Sequence, residues 1–455
     1  MTIEAGKTKA VANPTKAFFV RMITRDITLE DCILDLIDNS VDGAWRTAGS
    51  KPMGLDETID LSPFSIKIVG EPDRFSIKDN CGGMTLDDAV EHAFSFGRPA
   101  TDHGDAYSIG VYGIGMKRAV FKLGRDISVR STFVDDDDRR LSFEVPIDVD
   151  DWLSDDSPPW DFDIVEADDL DENGVEIVVE ELTTGSKTSF DSPAFIQNLW
   201  RTIARDYSLH LDRGLSISLN GEEIAGWEIE LREGDGFAPM RIEYEDEVEG
   251  DLVKVELIGG MAAPPPDSGD PDVEDEGERR FGWYVVCNGR IVLAADKTSI
   301  SGWGTDGWPQ WHRQYSGFIG MIIFTAEDAG ALPLTTTKRS VDTSSEVYRR
   351  ARPKMREVTR AWIDYTNSRK QALDEAKAVE AAAKPVKLRA LPKRETVTLP
   401  RYSAKPVERV GNIGYSVPVT RIKKLARAMG KATLSYRDVG LRSFEYAYDD
   451  LVGEE

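Results

Sequence analysis

The chain has 455 residues, 40% of them hydrophobic, with 81 Asp or Glu against 56 Lys or Arg and a net charge of −25. That length supports two or three domains, and the sequence holds no run of about 18 apolar residues that would mark a membrane span and no apolar core of a secretory signal near residue 1. Cys32, Cys81 and Cys287 are too few and too widely spaced for a disulfide framework or a zinc site, and the four histidines are scattered, which points to a reducing cytoplasm.

The segment 34–44 reads as one helix. Asp35, Asn39 and Asp42 stand four and three residues apart, so they share a face, beside an apolar stripe of Leu34, Ile37 and Val41. A row of two carboxylates and a carboxamide is an oxygen-rich surface of the kind that holds Mg²⁺ and a water. Ahead of it, residues 18–22 form a short arm. Residues 75–84 read as an alternating strand running into a turn, with Asp79 at its end and Gly82, Gly83 and Met84 after it. Residues 97–105 are polar and Gly-bearing, a candidate lid. Gly110, Gly113 and Gly115 then precede a helix over 116–123, where Met116 and Lys117 lie in the first turn. Glycines there permit close backbone approach, and a helix N-terminus offers N–H groups to an anion. Residues 174–180 read as a buried strand.

A second domain is expected over 188–345, with a helix at 193–207 and strands at 215–219 and 282–286. Asn220-Gly221 and Asn288-Gly289 mark hairpin turns after those strands. Residues 332–342 form a polar loop containing Lys338 and Arg339. A long helical pattern covers 346–384, and Pro385, Pro392, Pro400 and Pro406 define a basic linker over 385–410. The remaining segment, 411–455, reads as a small module with a strand at 413–417 and a basic helix at 419–429. Between 366 and 437, 17 Lys or Arg face 5 Asp or Glu. This basic stretch on an acidic chain marks a candidate DNA or protein surface.

The three N-terminal segments, in order and spacing, resemble the GHKL ATPases, the superfamily of the gyrase ATPase subunit, heat shock protein 90, histidine kinases, MutL and the MORC proteins. The helix is similar to its acidic-x-x-x-Asn-x-x-Asp box, residues 79–83 to its Asp-x-Gly-x-Gly box, and residues 110–115 to its Gly-x-x-Gly-x-Gly box. The resemblance covers about the first 185 residues. It implies an α+β chain: an N-terminal GHKL (Bergerat) α/β sandwich over 1–187, a β-α-β transducer-type domain, a long helix and a small basic C-terminal module.

By position, the resemblance also implies ATP and Mg²⁺ as ligands. Asn39 would coordinate the metal, Asp42 would border the site, and Asp79 would accept a hydrogen bond from the adenine amino group. Gly83 and Met84 would line the base. Gly110, Gly113, Gly115, Met116 and Lys117 would surround the phosphates. Asp35 stands where hydrolysing relatives carry a glutamate that deprotonates water, and Lys338, with Arg339 second, resembles the lysine that reaches back from the transducer domain. Three departures accompany this. Asp35 is one methylene shorter than glutamate, Cys81 replaces a glycine, and Val175 replaces a threonine.

The function implied is a slow ATP hydrolase working as an ATP-dependent homodimeric clamp, DNA-associated in the manner of MORC and MutL, in defence against foreign DNA. A chaperone-like ATPase and a non-hydrolysing ATP-binding module are the alternatives. A histidine kinase is disfavoured, because no histidine precedes the first box.

Overall fold

The computed structural model describes residues 14–52, 54–95, 106–109, 114–157, 159–267, 278–305, 307–335, 337–403 and 410–453. After α1 (Lys16–Arg25), the chain enters α2 (Leu29–Thr47) through a capping box: the Thr28 hydroxyl accepts from the Asp31 amide at 3.1 Å and the Asp31 carboxylate accepts from the Thr28 amide. Leu34, Ile37, Val41 and Ala44 follow at helical spacing and are fully buried. Burial of each large aliphatic side chain there contributes about 1.5–3 kcal/mol.

Strands β1 (Ser65–Gly70) and β2 (Phe75–Asp79) form a hairpin. Then come the one-turn α3 (Leu86–Asp88), α4 (Gly115–Leu123), β3 (Asp126–Val134), β4 (Arg140–Asp148), α5 (Val149–Leu153), β5 (Val165–Glu166) and β6 (Gly174–Glu180). Helices α6 (Thr184–Phe190), α7 (Pro193–Asp206) and α8 (Ser208–Leu211) precede β7 (Ser216–Leu219) and β8 (Glu222–Glu223). These strands make one eight-stranded sheet, order β5-β4-β3-β6-β2-β1-β7-β8, with β1 and β7 parallel and all other neighbours antiparallel. Alternate residues such as Ile66, Ile68, Ile77 and Val129 share a core with α2, α4 and α7.

This first sheet runs past the expected boundary at 187. Ile217 and Leu219 extend the alternating apolar face, and β7 satisfies the open edge of β1.

The second sheet holds β10 (Met240–Val248), β11 (Asp251–Met261), β12 (Gly282–Cys287), β13 (Arg290–Asp296) and β14 (Phe318–Ala326), in the order β10-β11-β14-β12-β13 with β12 parallel to β14. Helix α9 (Glu346–Arg369) packs on it through Tyr348, Ala351, Met355, Val358 and Trp362. Gly259 makes room for this packing: a Cβ there would lie 2.6 Å from Val358 Cγ1.

Two expectations for the following segment are corrected. The helix over 346–384 is two helices, α9 and α10 (Leu373–Ala382), because buried Glu380 turns back to accept from Arg369 Nε at 2.6 Å and from the Tyr365 hydroxyl. The basic linker over 385–410 is, through residue 403, part of the first unit. Strand β15 (Lys384–Lys387) pairs with β9 (Glu230–Glu233), and backbone bridges join Thr398 to Ala238 and Arg394 to Arg241. Four of its cations pair with acids, Lys393 with Glu243 at 2.8 Å, Lys387 with Asp212 at 2.9 Å, and Arg389 and Arg394 with Asp212 and Glu233.

The second compact unit begins at Ala404. It holds α11 (Val419–Ala428) and α12 (Tyr436–Val452), which contact each other; among its described residues Ala426 and Val439 are the buried apolar ones. Residues 413–417 are not a strand, having no partner strand in the described part of that unit. No helix among the described residues is long and apolar enough to cross a membrane.

Candidate functional site

Helix α2 supplies one wall of the site. Asp35 is buried and Asp38 fully so, whereas Asn39 between them and Asp42 is exposed. Asp42 accepts the Ile109 amide through both oxygens, at 3.1 and 3.0 Å, and so anchors the chain leading to the glycine segment. Gly110 and Gly113 of that segment lie outside the described residues.

Helix α4 starts against Asp35. A Cβ on Gly115 would sit 3.4 Å from the Asp35 carboxylate carbon, so a glycine lets the helix begin at this distance. The N-cap residue, Ile114, has no side chain able to accept from the first turn. Met116 packs half-buried on the core. Lys117 is 2% exposed, and its Nζ donates to the Ala93 carbonyl at 2.7 Å. Arg118 faces α2 instead, donating from Nε and Nη2 to Asp35 Oδ2 at 2.9 and 2.6 Å.

Asp79 ends β2 deep in the fold. Burial pushes its carboxyl above the ordinary carboxylate range, and three donors pull against that: the Ser40 hydroxyl at 2.6 Å and the amides of Cys81 at 2.9 Å and Val175 at 3.2 Å. The substitutions at Cys81 and Val175 thus leave the support of Asp79 intact, since both act through backbone N–H. The turn after Asp79 needs glycine. Gly83 has φ +80°, and a Cβ there would lie 2.2 Å from the Thr132 carbonyl. The Met84 amide and carbonyl are both held by the Ser131 hydroxyl at 2.8 Å.

The opposite wall comes from the second sheet and the loop after it. Lys338, itself at φ +54°, is buried with Nζ 3.0 Å from Asp38 Oδ2 and 3.3 Å from Asp35 Oδ1. Burial opposes its charge, but the two carboxylates outweigh this and hold the ammonium above its ordinary pKa. Arg339 pairs with Glu30 at 2.8 Å and with Asp31. Arg290 of β13 also donates to Asp38, and Tyr207 gives its hydroxyl to Asp38 Oδ1 at 2.7 Å. Despite burial, Arg290 and Lys338 keep Asp38 below the usual carboxylate range.

Asp35, Asn39, Asp42, Gly115 and Lys338 therefore share one locality. Asp79, Gly83 and Met84 line the β2 end, and Lys117 is engaged with the Ala93 carbonyl. Arg118, Asp38, Arg290 and Tyr207 were not singled out from sequence. Asp38 carried a signal, since it lies three residues from Asp35 on the same helix.

Residues 27–175 match the family model described as histidine kinase-, DNA gyrase B- and HSP90-like ATPase. The chain carries a GHKL-type ATPase domain. No match among curated proteins accompanies it. A GHKL domain binds ATP, and the donor set here suits its metal: Mg²⁺ takes one or two protein ligands and completes its shell with phosphates and water, and Asn39 offers one exposed amide oxygen for that.

Proposed function

We infer that this GHKL protein is a slow Mg-ATP hydrolase that works as a nucleotide-controlled homodimeric switch. The observation that carries the reading is Lys338, delivered from outside the ATP domain to within 3.3 Å of Asp35. Asp35 would orient and deprotonate the attacking water, which requires hydrogen-bond reach of that water. Asn39 would hold Mg²⁺, which when bound offsets the charge of the phosphates. Asp79 would accept from the adenine amino group, Gly83 and Met84 bordering the ring. The N-terminus of α4, with Gly115 and Met116, would face the phosphates. Lys117 would have to leave the Ala93 carbonyl to join them.

Binding to DNA, in the service of defence against foreign DNA, is the target we favour. Its support is the uneven charge. The cations at 387–394 are matched within the first unit, so the candidate surface we favour is Arg421, Lys423, Lys424 and Arg427 on α11, all exposed. Such a contact would weaken steeply with salt.

The Asp35–Arg118 pair favours a second reading, a non-hydrolysing ATP-binding module, because Arg118 occupies Oδ2 with two donors and leaves that oxygen less free to take up a water. Turnover decides between them. Wild-type protein should hydrolyse ATP and dimerise with nucleotide, and Lys338→Ala should bind a fluorescent ATP analogue while losing roughly tenfold or more in turnover. Binding without any turnover would select the module; no binding would remove both.

A further inference from the structure

The β12–β13 turn does something unusual for a two-residue hairpin turn: Asn288 and the Arg290 that follows it are buried, and Gly289 between them is partly so. Asn288 and Gly289, with φ of 43° and 84°, make the tight connection that such residues allow. Turns of this type normally lie on the surface, because their backbone groups need water. Here Asn288 is 1% exposed, donating from Nδ2 to the Ser108 carbonyl at 2.9 Å and to the Ala326 carbonyl at 3.2 Å, while its Oδ1 accepts the Ala326 amide at 3.0 Å. Gly289 passes so close to the His210 ring that a Cβ would lie 2.7 Å from Cε1.

Arg290 completes the insertion. It is 1% exposed, its guanidinium lies 5.6 Å from the Tyr207 ring centre, and it donates to Asp38 Oδ2, the oxygen that also receives Lys338. Its Nε has no hydrogen-bond partner, so Asp38 is its principal anchor. On the far side the one hydroxyl hydrogen of Tyr207 is shared between Asp38 Oδ1 and the Leu34 carbonyl, at 2.7 and 2.9 Å. Asp38 is thereby held at both oxygens by groups other than Lys338. One end of the turn touches Ser108, next to the residue that Asp42 anchors, and the other touches the counter-ion of Lys338.

We propose that Arg290 and Asp38 are positioning residues: the 288–290 turn locks the Asp38 carboxylate, and that carboxylate sets Lys338 beside Asp35. This rests on the hydrolase reading for its kinetic consequence, but its structural consequence stands apart from it. Arg290 acts through Asp38 and Lys338, and touches no position assigned to nucleotide.

The test compares Arg290→Met and Arg290→Lys with the wild type in the full chain. Three quantities are read: affinity for a fluorescent ATP analogue, ATP turnover, and amide hydrogen exchange in peptides spanning 332–342. Arg290→Met should keep affinity within about threefold, lose roughly tenfold in turnover, and exchange roughly tenfold faster over 332–342. Arg290→Lys, which keeps the charge, should restore most of both losses. Unchanged exchange and turnover in Arg290→Met would overturn the proposal. So would affinity and turnover falling together with no rescue by Lys, the pattern of a merely structural role. If the wild type hydrolyses no ATP, the hydrolase reading fails while the exchange comparison still decides this one. Should Arg290→Met not fold, Tyr207→Phe removes one hydroxyl, shared between Asp38 and the Leu34 carbonyl; faster exchange over 332–342 supports the lock, and wild-type exchange rejects it.

Discussion

Arg118 holds Asp35 through two donors on a single carboxylate oxygen, Nε at 2.9 Å and Nη2 at 2.6 Å, and the other oxygen faces Lys338 at 3.3 Å. Charge-assisted contacts of this kind are about twice as strong as neutral ones. The group assigned to activate water is thus neutralised by two cations. Under the proposed reading both cations would also meet a phosphate, so nucleotide and Asp35 would compete for them. Asp35→Asn should therefore retain affinity for the ATP analogue within about threefold and lose on the order of 100-fold or more in turnover. Single-turnover and steady-state ATP hydrolysis check this, and normal hydrolysis by Asp35→Asn would displace Asp35 as the base.

Asn39 tests the metal. It is exposed while Asp38 and Ser40 on either side are buried, so its replacement disturbs little packing. Asn39→Ala should leave the melting temperature close to wild type and abolish the Mg²⁺-dependent part of nucleotide affinity. Titration of the analogue with and without Mg²⁺ reads the difference directly; equal Mg²⁺ enhancement in both proteins would reject Asn39 as the ligand.

Much of this site was legible because its signals are local. Asp35, Asn39 and Asp42 sit at helical spacing, and Asp79 precedes a glycine turn whose left-handed φ only glycine adopts freely. What escaped depends on contacts far away in sequence. Lys117 and Arg118 are adjacent and chemically alike, and only the packing of α4 on α2 decides which one meets Asp35. Asn288-Gly289 was correctly an expected hairpin turn, yet nothing local says that the turn packs against His210. The Pro-bearing stretch after 385 has linker composition, but the open edge of β9, some 150 residues earlier in the register of Pro385 with Arg232, gives it a partner. The break between α9 and α10 likewise rests on one buried ion pair.

His210 gives the fold a pH dependence. Its ring is fully buried, accepts the Trp45 indole N–H at Nδ1 at 3.1 Å, and leaves Nε2 without a partner. Burial, with Arg213 nearby, lowers its pKa from 6.5 to about 3. The neutral ring is favoured in the fold, so the unfolded chain binds the extra proton between those values. This stability is complete above pH 6.5 and is lost as pH falls toward 3, by about 1.4 kcal/mol per unit once below 6.5. Denaturant melts at pH 7.5 and about pH 5.5 should show the loss in the wild type and a smaller one in His210→Gln, after allowance for other groups through the variant itself. An equal loss in both would exclude His210 as the source.

The Glu380–Arg369 pair tests why the long C-terminal helix folds back. Both residues are at most 5% exposed, and Glu380 is met by Arg369 through Nε at 2.6 Å and Nη2 at 3.0 Å as well as by Tyr365. Burying such a pair costs desolvation, and removing one member strands the other charge, at about 3–5 kcal/mol. Glu380→Met should therefore destabilise strongly and release α10, read as faster hydrogen exchange over 373–382. Asp267, 2.8 Å from Arg369, partly compensates and places the loss at the lower end of that range. Replacing Arg369 and Glu380 together by Met removes both desolvation penalties and should recover most of the stability. If the double variant is instead less stable than Glu380→Met, the pair contributes net attraction rather than orientation, and the turn between α9 and α10 owes its geometry to the salt bridge itself.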